Sequence, residues 1–244
     1  MFSIFVSGQT EKTFTTLDYK TVMTRLFDIT NFNAQHEALW KPNYSERINM
    51  LVSDDGFCHT ALDTSMYFNS GDIKHAVMIF STSEYQGGMK ASCHACAPTL
   101  SMATFTREKD GIWQLVQFKK DFIGFGAWGK RLGRFGIEKL GKDFYCLKAQ
   151  TGIDSNQGYE RGVTTFYSLN GYEQYHEVFS FVYYDSNEGA MEEGKGFTEK
   201  ITMKTTPKDD YYIVELSSKR TGRKLEVKKK YTYSEAVGRY MPFN

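Results

Sequence analysis

The sequence predicts a mainly β protein, β-rich α+β, in which an antiparallel meander forms a sandwich or barrel behind a helical N-terminal segment. Three observations predict it. Strand-forming runs recur at spacings of roughly 8 to 14 residues. Turn chemistry separates them, above all Asp110-Gly111 and Asn170-Gly171, dipeptides that supply the positive φ angles of tight hairpins. The aromatic share is 16% with only four Pro among 244 residues, a balance that suits strands better than helices.

Taken in order, Phe2–Val6 is a short strand candidate. Leu17, Val22, Leu26 and Phe27 approach helical spacing after a Thr15-Thr16 start that could cap a helix. Residues 31–45 are Asn-rich, carry Trp40 and Pro42, and predict a loop with one helical turn at Ala34–Leu39. Ile48–Val52 and Phe57–Ala61 are short apolar pieces around a Ser53-Asp54-Asp55-Gly56 turn. From Ile73 the pattern becomes regular. Strands are expected at Ile73–Ser81, Thr99–Arg107, Ile112–Lys119, Phe135–Leu140, Phe144–Ala149, Gly162–Leu169 and Tyr175–Tyr184. A polar glycine-containing loop at 186–196 precedes Phe197–Thr205, Tyr211–Ser217, Lys224–Tyr233 and an edge piece at Arg239–Phe243. This divides the chain into an irregular, helical segment 1–72 packed on the sheet and an antiparallel β domain 73–244, one continuous domain overall. Alternation in Lys200-Ile201-Thr202-Met203-Lys204 gives that sheet one wetted face.

Charge narrows the partners. The formal net charge is +1, so no strong overall field steers the molecule to nucleic acid or an anionic surface. No run approaches the roughly 20 apolar residues of a membrane span. The N-terminus lacks a basic segment and a long apolar run. The location is therefore periplasmic or secreted if a signal peptide was trimmed, and otherwise cytoplasmic.

Cys93-His94-Ala95-Cys96 has a gap used by zinc knuckles, thiol redox sites and local disulfides. Cys58 and Cys146 are isolated and supply no second pair, so no metal ligand set and no cofactor is assigned. A redox thiol site needs a helix after the motif, and the following residues suit a strand. A disulfide that stiffens the loop is the simplest reading, with Cys93, Cys96 and His94 as disulfide or redox candidates.

Gly124-Phe125-Gly126-Ala127-Trp128-Gly129-Lys130 satisfies two phosphate-loop patterns by residue type. Arg131 stands where magnesium binding needs Ser or Thr, and the segment after it is poor helix, so neither pattern has its context. Lys119, Lys120, Lys130, Arg131 and Arg134 interleave with Phe118, Phe122, Phe125, Trp128 and Phe135, an arrangement that suits single-stranded nucleic acid. Residues 195–230 are also basic, with eleven Lys and Arg against five Asp and Glu. No catalytic motif is present, and no catalytic residue is assigned.

The order C-H-A-C-A-P, an apolar strand, D-G-x-W and then Phe125-Gly126-Ala127-Trp128-Gly129 resembles a group of uncharacterised bacterial exported β-rich envelope proteins. The likeness extends to Gln157-Gly158-Tyr159 and the closing Tyr231-Thr-Tyr-Ser…Arg239-Tyr240-Met241-Pro242, covering about residues 73–242. It implies a sheet and a compartment, and no reaction.

Together these features predict a non-enzymatic β-rich interaction protein, of inhibitor or immunity type, whose partner is another protein. Phe125, Trp128, Lys130, Arg131 and Tyr159 are its candidate binding residues, because large aromatics in Gly-rich loops serve as anchors. A thiol-disulfide or metal-dependent function centred on Cys93-His94-Ala95-Cys96 is the alternative. Single-stranded nucleic-acid binding through residues 118–135 is the second.

Overall fold

The computed structural model describes residues 12–33, 37–43, 45, 56–86, 89–90, 97–107, 109–126, 133–170, 175–223 and 226–243. The chain is mostly antiparallel β-structure with one short α-helix among these residues. It divides into two compact units, Met1–Arg131 and Leu132–Asn244.

The first unit contains β1 (Thr13–Phe14), α1 (Tyr19–Phe27), β2 (Ala38–Trp40), β3 (Phe57–Ser70), β4 (Ile73–Gln86), β5 (Met89–Lys90), β6 (Thr99–Arg107) and β7 (Trp113–Gly124). Its sheet runs β1-β7-β6-β4-β3-β2, with β5 added to β4. Helix α1 starts because Asp18 accepts a hydrogen bond from Thr21 N–H at 3.0 Å, satisfying one of the orphan donors of the first turn. Val22, Met23 and Phe27 fall on one side and are buried. They meet Ala76, Met78 and Phe80 of β4 and Ala103 and Phe105 of β6, residues that alternate along their strands and share one sheet face. Full burial of one such side chain is worth about 1.5–3 kcal/mol, so this face alone accounts for the helix docking.

Two expectations for this unit change. The helical turn expected at Ala34–Leu39 gives way to strand β2, which pairs Ala38, Leu39 and Trp40 with Thr60, His59 and Cys58. Residues 34–36 lie outside the described residues. The short piece Phe57–Ala61 is the start of a 14-residue strand that continues to Ser70. Residue 72, placed at the end of the irregular segment, lies in the Gly71-Asp72 turn joining β3 to β4 of the same sheet. The expected strand at Phe2–Val6, the short apolar piece Ile48–Val52 and residues 53–55 of the expected turn lie outside the described residues.

The second unit contains β8 (Gly133–Lys139), β9 (Tyr145–Thr151), β10 (Asp154–Asn156), β11 (Tyr159–Ser168), β12 (Glu177–Ser186), β13 (Thr198–Thr206), β14 (Ile213–Arg220), β15 (Val227–Ser234) and β16 (Arg239–Pro242). The strand order β16-β15-β14-β13-β12-β11-β9-β8 is a meander, with β10 on β11. Of the architectures left open by the sequence, this one is a curled half-barrel. The curl is fixed by bonds between strands far apart in that order. Leu140 O accepts from Tyr240 Oη at 2.6 Å and from Tyr212 N at 2.8 Å. His176 Nε2 lies 2.9 Å from Gly238 O, and Arg239 pairs with Glu177. Inside the curl, Phe144 meets Tyr211 and Tyr233, and Tyr240 meets Phe179 and Tyr233, at edge and tilted angles favoured by ring quadrupoles, while Tyr211 and Tyr233 stack at 4.2 Å.

Candidate binding cleft

In the second unit, β12 and β13 pair over only Tyr184–Lys200, Asp185–Glu199 and Ser186–Thr198. Beyond those pairs the strands part. Glu177 and residues 179–182 of β12 pair with β11 on one side, and residues 201–206 of β13 pair with β14 on the other. Among the described residues, no strand pairs with the facing edges.

The sequence supplies reasons for the parting. Strand β12 carries an extra residue at two places along its ladder with β11, Tyr183 opposite Gly162 and Val163 and Val178 opposite Phe166 and Tyr167, and bulges increase local twist. Gly162 has no side chain, so the Tyr183 ring crosses it and the Tyr183 hydroxyl donates to Thr151 O at 3.0 Å. A Cβ at position 162 would sit 2.4 Å from that ring. Phe166 packs with Phe179 and Phe181, which ties β12 further to β11. Strand β13 is held the other way by an eight-residue ladder with β14, from Glu199–Arg220 to Thr206–Ile213.

The parting leaves a cleft of about 400 Å³ lined by Ser180, Phe181, Val182, Glu199, Ile201, Leu216, Ser218, Arg223, Val227, Lys229 and Tyr231. Ile201, Leu216 and Tyr231 share the inner sheet face by register, and with Phe181 they form an apolar floor. Glu199, Arg223 and Lys229 supply charge. Ser218 Oγ donates to Glu199 Oε1, while Arg223 and Lys229 are exposed. An apolar floor beside unpaired backbone edges is the arrangement that strand addition uses: main-chain bonds give affinity, and alternate side chains give specificity.

The residues singled out by sequence do not come together as one site. Cys93, His94, Cys96, Trp128, Lys130 and Arg131 lie outside the described residues. Phe125 belongs to the first unit and is only 7% exposed; its N–H donates to Pro98 O at 3.0 Å. Its ring is therefore not offered to a partner. Tyr159 belongs to the second unit and is 56% exposed at the start of β11. In the basic aromatic segment, Phe118 packs against the helix-facing core, and Lys120 Nζ sits 4.5 Å from the centroid of the Trp40 ring. Phe118, Lys120 and Trp40 are each half-buried in these contacts.

Cys58 and Cys146 are buried, and there is no disulfide among the described residues. Burial, reinforced by the Glu138 carboxylate, pushes the Cys146 thiol far above its ordinary range, which makes it a poor nucleophile. His59 is 5% exposed, with Nε2 at 2.7 Å from Glu37 Oε2. Among the described residues, no group of three or more His, Cys, Asp or Glu side chains is placed to hold a metal ion. The cleft residues were missed by sequence reasoning. The alternation in 197–205 places Ile201 on an inner face, but nothing local marks where two neighbouring strands separate.

Compared with protein-family models, with curated proteins and with solved structures, the chain matches none.

Proposed function

We propose that this chain is a non-enzymatic binding protein and that the cleft between β12 and β13 receives an extended segment of a partner protein. The observation that carries the reading is the parting of the two strands. Among the described residues it leaves the facing backbone edges without a strand partner beside an apolar floor, and such edges gain from a partner that completes the ladder. The exposed Arg223 and Lys229 favour an acidic residue on the incoming segment. An inhibitor or immunity role belongs to the same class, because both act by occupying another protein.

The test is selection of linear peptides from a random display library on the immobilised full chain. Selected peptides should carry apolar residues at alternate positions with an acidic residue nearby. Their affinity should fall tenfold or more in the Arg223→Glu/Lys229→Glu variant, whose changes lie on exposed positions. Peptides that bind the parent and this variant equally would place recognition elsewhere and sink the proposal.

A further inference from the structure

The outer face of β13, β14 and β15 concentrates positive charge that the near-neutral whole chain conceals. Register places Lys200 and Lys204 of β13, Lys219 of β14 and Lys228 and Lys230 of β15 on that face. Glu215 is the carboxylate within this ladder; it is shared between Lys228 at 3.8 Å and Lys230 at 3.9 Å. Lys200 stands directly across from Lys219, a like-charge pair that costs stability in an unliganded sheet. Among the described residues, no ion pair engages Lys200, Lys204 or Lys219, and all three are exposed. Acidic groups lie at the margins: Glu226 before β15, Glu235 after it, and Asp209 and Asp210 in the turn after β13. On the β12 side, the neighbour of Lys200 is Tyr184, whose hydroxyl donates to Glu160.

The same face ends in two exposed apolar side chains. Met241 stands opposite Thr232 and is 43% exposed. The ladder continues through a 2.8 Å bond from Phe243 N to Lys230 O, which sets Phe243, 53% exposed, opposite Lys230. Arg239, between them and the turn, is taken up by Glu177. Backbone spacing sets Lys228 and Lys230 about 6.7 Å apart along β15, Lys200 and Lys204 about 13 Å apart along β13, and Lys200 about 4.8 Å from Lys219 across the strands. With Thr202 and Ser217 between them, this makes a lattice of point charges and hydroxyls without arginine forks for bidentate recognition.

We infer that this face docks peripherally on an anionic lipid surface, the lysines meeting headgroup phosphates and carboxylates while Phe243 and Met241 enter the interface. A planar charge lattice beside protruding apolar groups provides both signals that stable membrane association needs. Single-stranded nucleic acid fits less well, because Phe243 is the exposed ring on this face and Tyr184 is half-buried. Screening over about 8 Å at physiological ionic strength means that this local face acts independently of the net charge.

The test is co-sedimentation of the full chain with phosphatidylcholine vesicles, with and without about one third phosphatidylserine. Binding should require the anionic lipid and weaken with salt. Each lysine is worth about fivefold in partitioning, so Lys200→Gln/Lys204→Gln/Lys219→Gln should lose tenfold or more. Phe243→Ser should weaken binding at fixed salt, and Lys109→Gln in the first unit should leave it unchanged. Circular dichroism of each variant checks that the sheet is intact. Three results would overturn the inference: no binding to anionic vesicles, binding indifferent to the three lysines, or a lysine-dependent preference for oligothymidine over vesicles.

Discussion

Tyr240 latches the half-barrel. Its hydroxyl donates to Leu140 O at 2.6 Å, and its ring packs on Phe179 and Tyr233. Burial, then the neighbouring Cys146, Tyr233 and Tyr211, push its phenol above the ordinary value of 10.0. The folded state therefore holds the proton when the unfolded state has begun to release it. Stability is present in full below pH 10 and declines as pH rises above it. Tyr240→Phe should cost about 1 kcal/mol at neutral pH and flatten the alkaline decline, measured by urea unfolding across that range. A slope unchanged by the substitution would remove Tyr240 from that role. Residues of this kind were only partly legible in the sequence. Tyr240 was placed on a closing edge piece, but its bond to Leu140 spans 100 residues and leaves no local pattern. Phe125 shows the converse: its Gly-rich neighbours suggest a surface anchor, while packing takes it into the interior.

Elements were legible where turn chemistry governs them. Asp110-Gly111 joins β6 to β7 with Gly111 at φ +85°, and the strand expected at Thr99–Arg107 is β6 over its whole length. The start of α1 was legible too, although Asp18, rather than the preceding threonines, makes the cap. Strand β3 beyond Ala61 was not, because polar Thr64, Ser65 and Asn69 interrupt the apolar pattern that pairing with β4 enforces. The two-residue turn Gln157-Gly158 was another miss. Both residues adopt positive φ, 51° and 81°, as a tight hairpin between β10 and β11 requires. A Cβ on Gly158 would also lie 2.2 Å from the Gly189 carbonyl carbon. Gly158→Ala should therefore cost about 2 kcal/mol or more, and more than Gly71→Ala. Gly71 has φ +57° but no atom within 4 Å of the added methyl. Equal unfolding midpoints for the two variants would contradict the close packing at Gly158.

At the scale of the whole molecule, composition and strand spacing disclosed the antiparallel class, and the half-barrel follows from bonds that only the folded chain shows. Net charge was informative in one direction only. A value of +1 excludes a strong global field, yet it averages over a face with five lysines and one carboxylate in its ladder. The cleft was hidden for a related reason: β12 and β13 follow one another in sequence and in the sheet, and their separation depends on twist gathered at the β12 bulges, Val178 and Tyr183. The central claim is that these edges are open and ready for a partner strand. Amide hydrogen exchange over residues 177–183 and 201–206 tests it most directly. Alternate amides, those directed into the cleft, should exchange rapidly in the free protein and slow when a selected peptide is bound. Uniform protection of both segments in the free protein would show the ladder already complete and contradict the account.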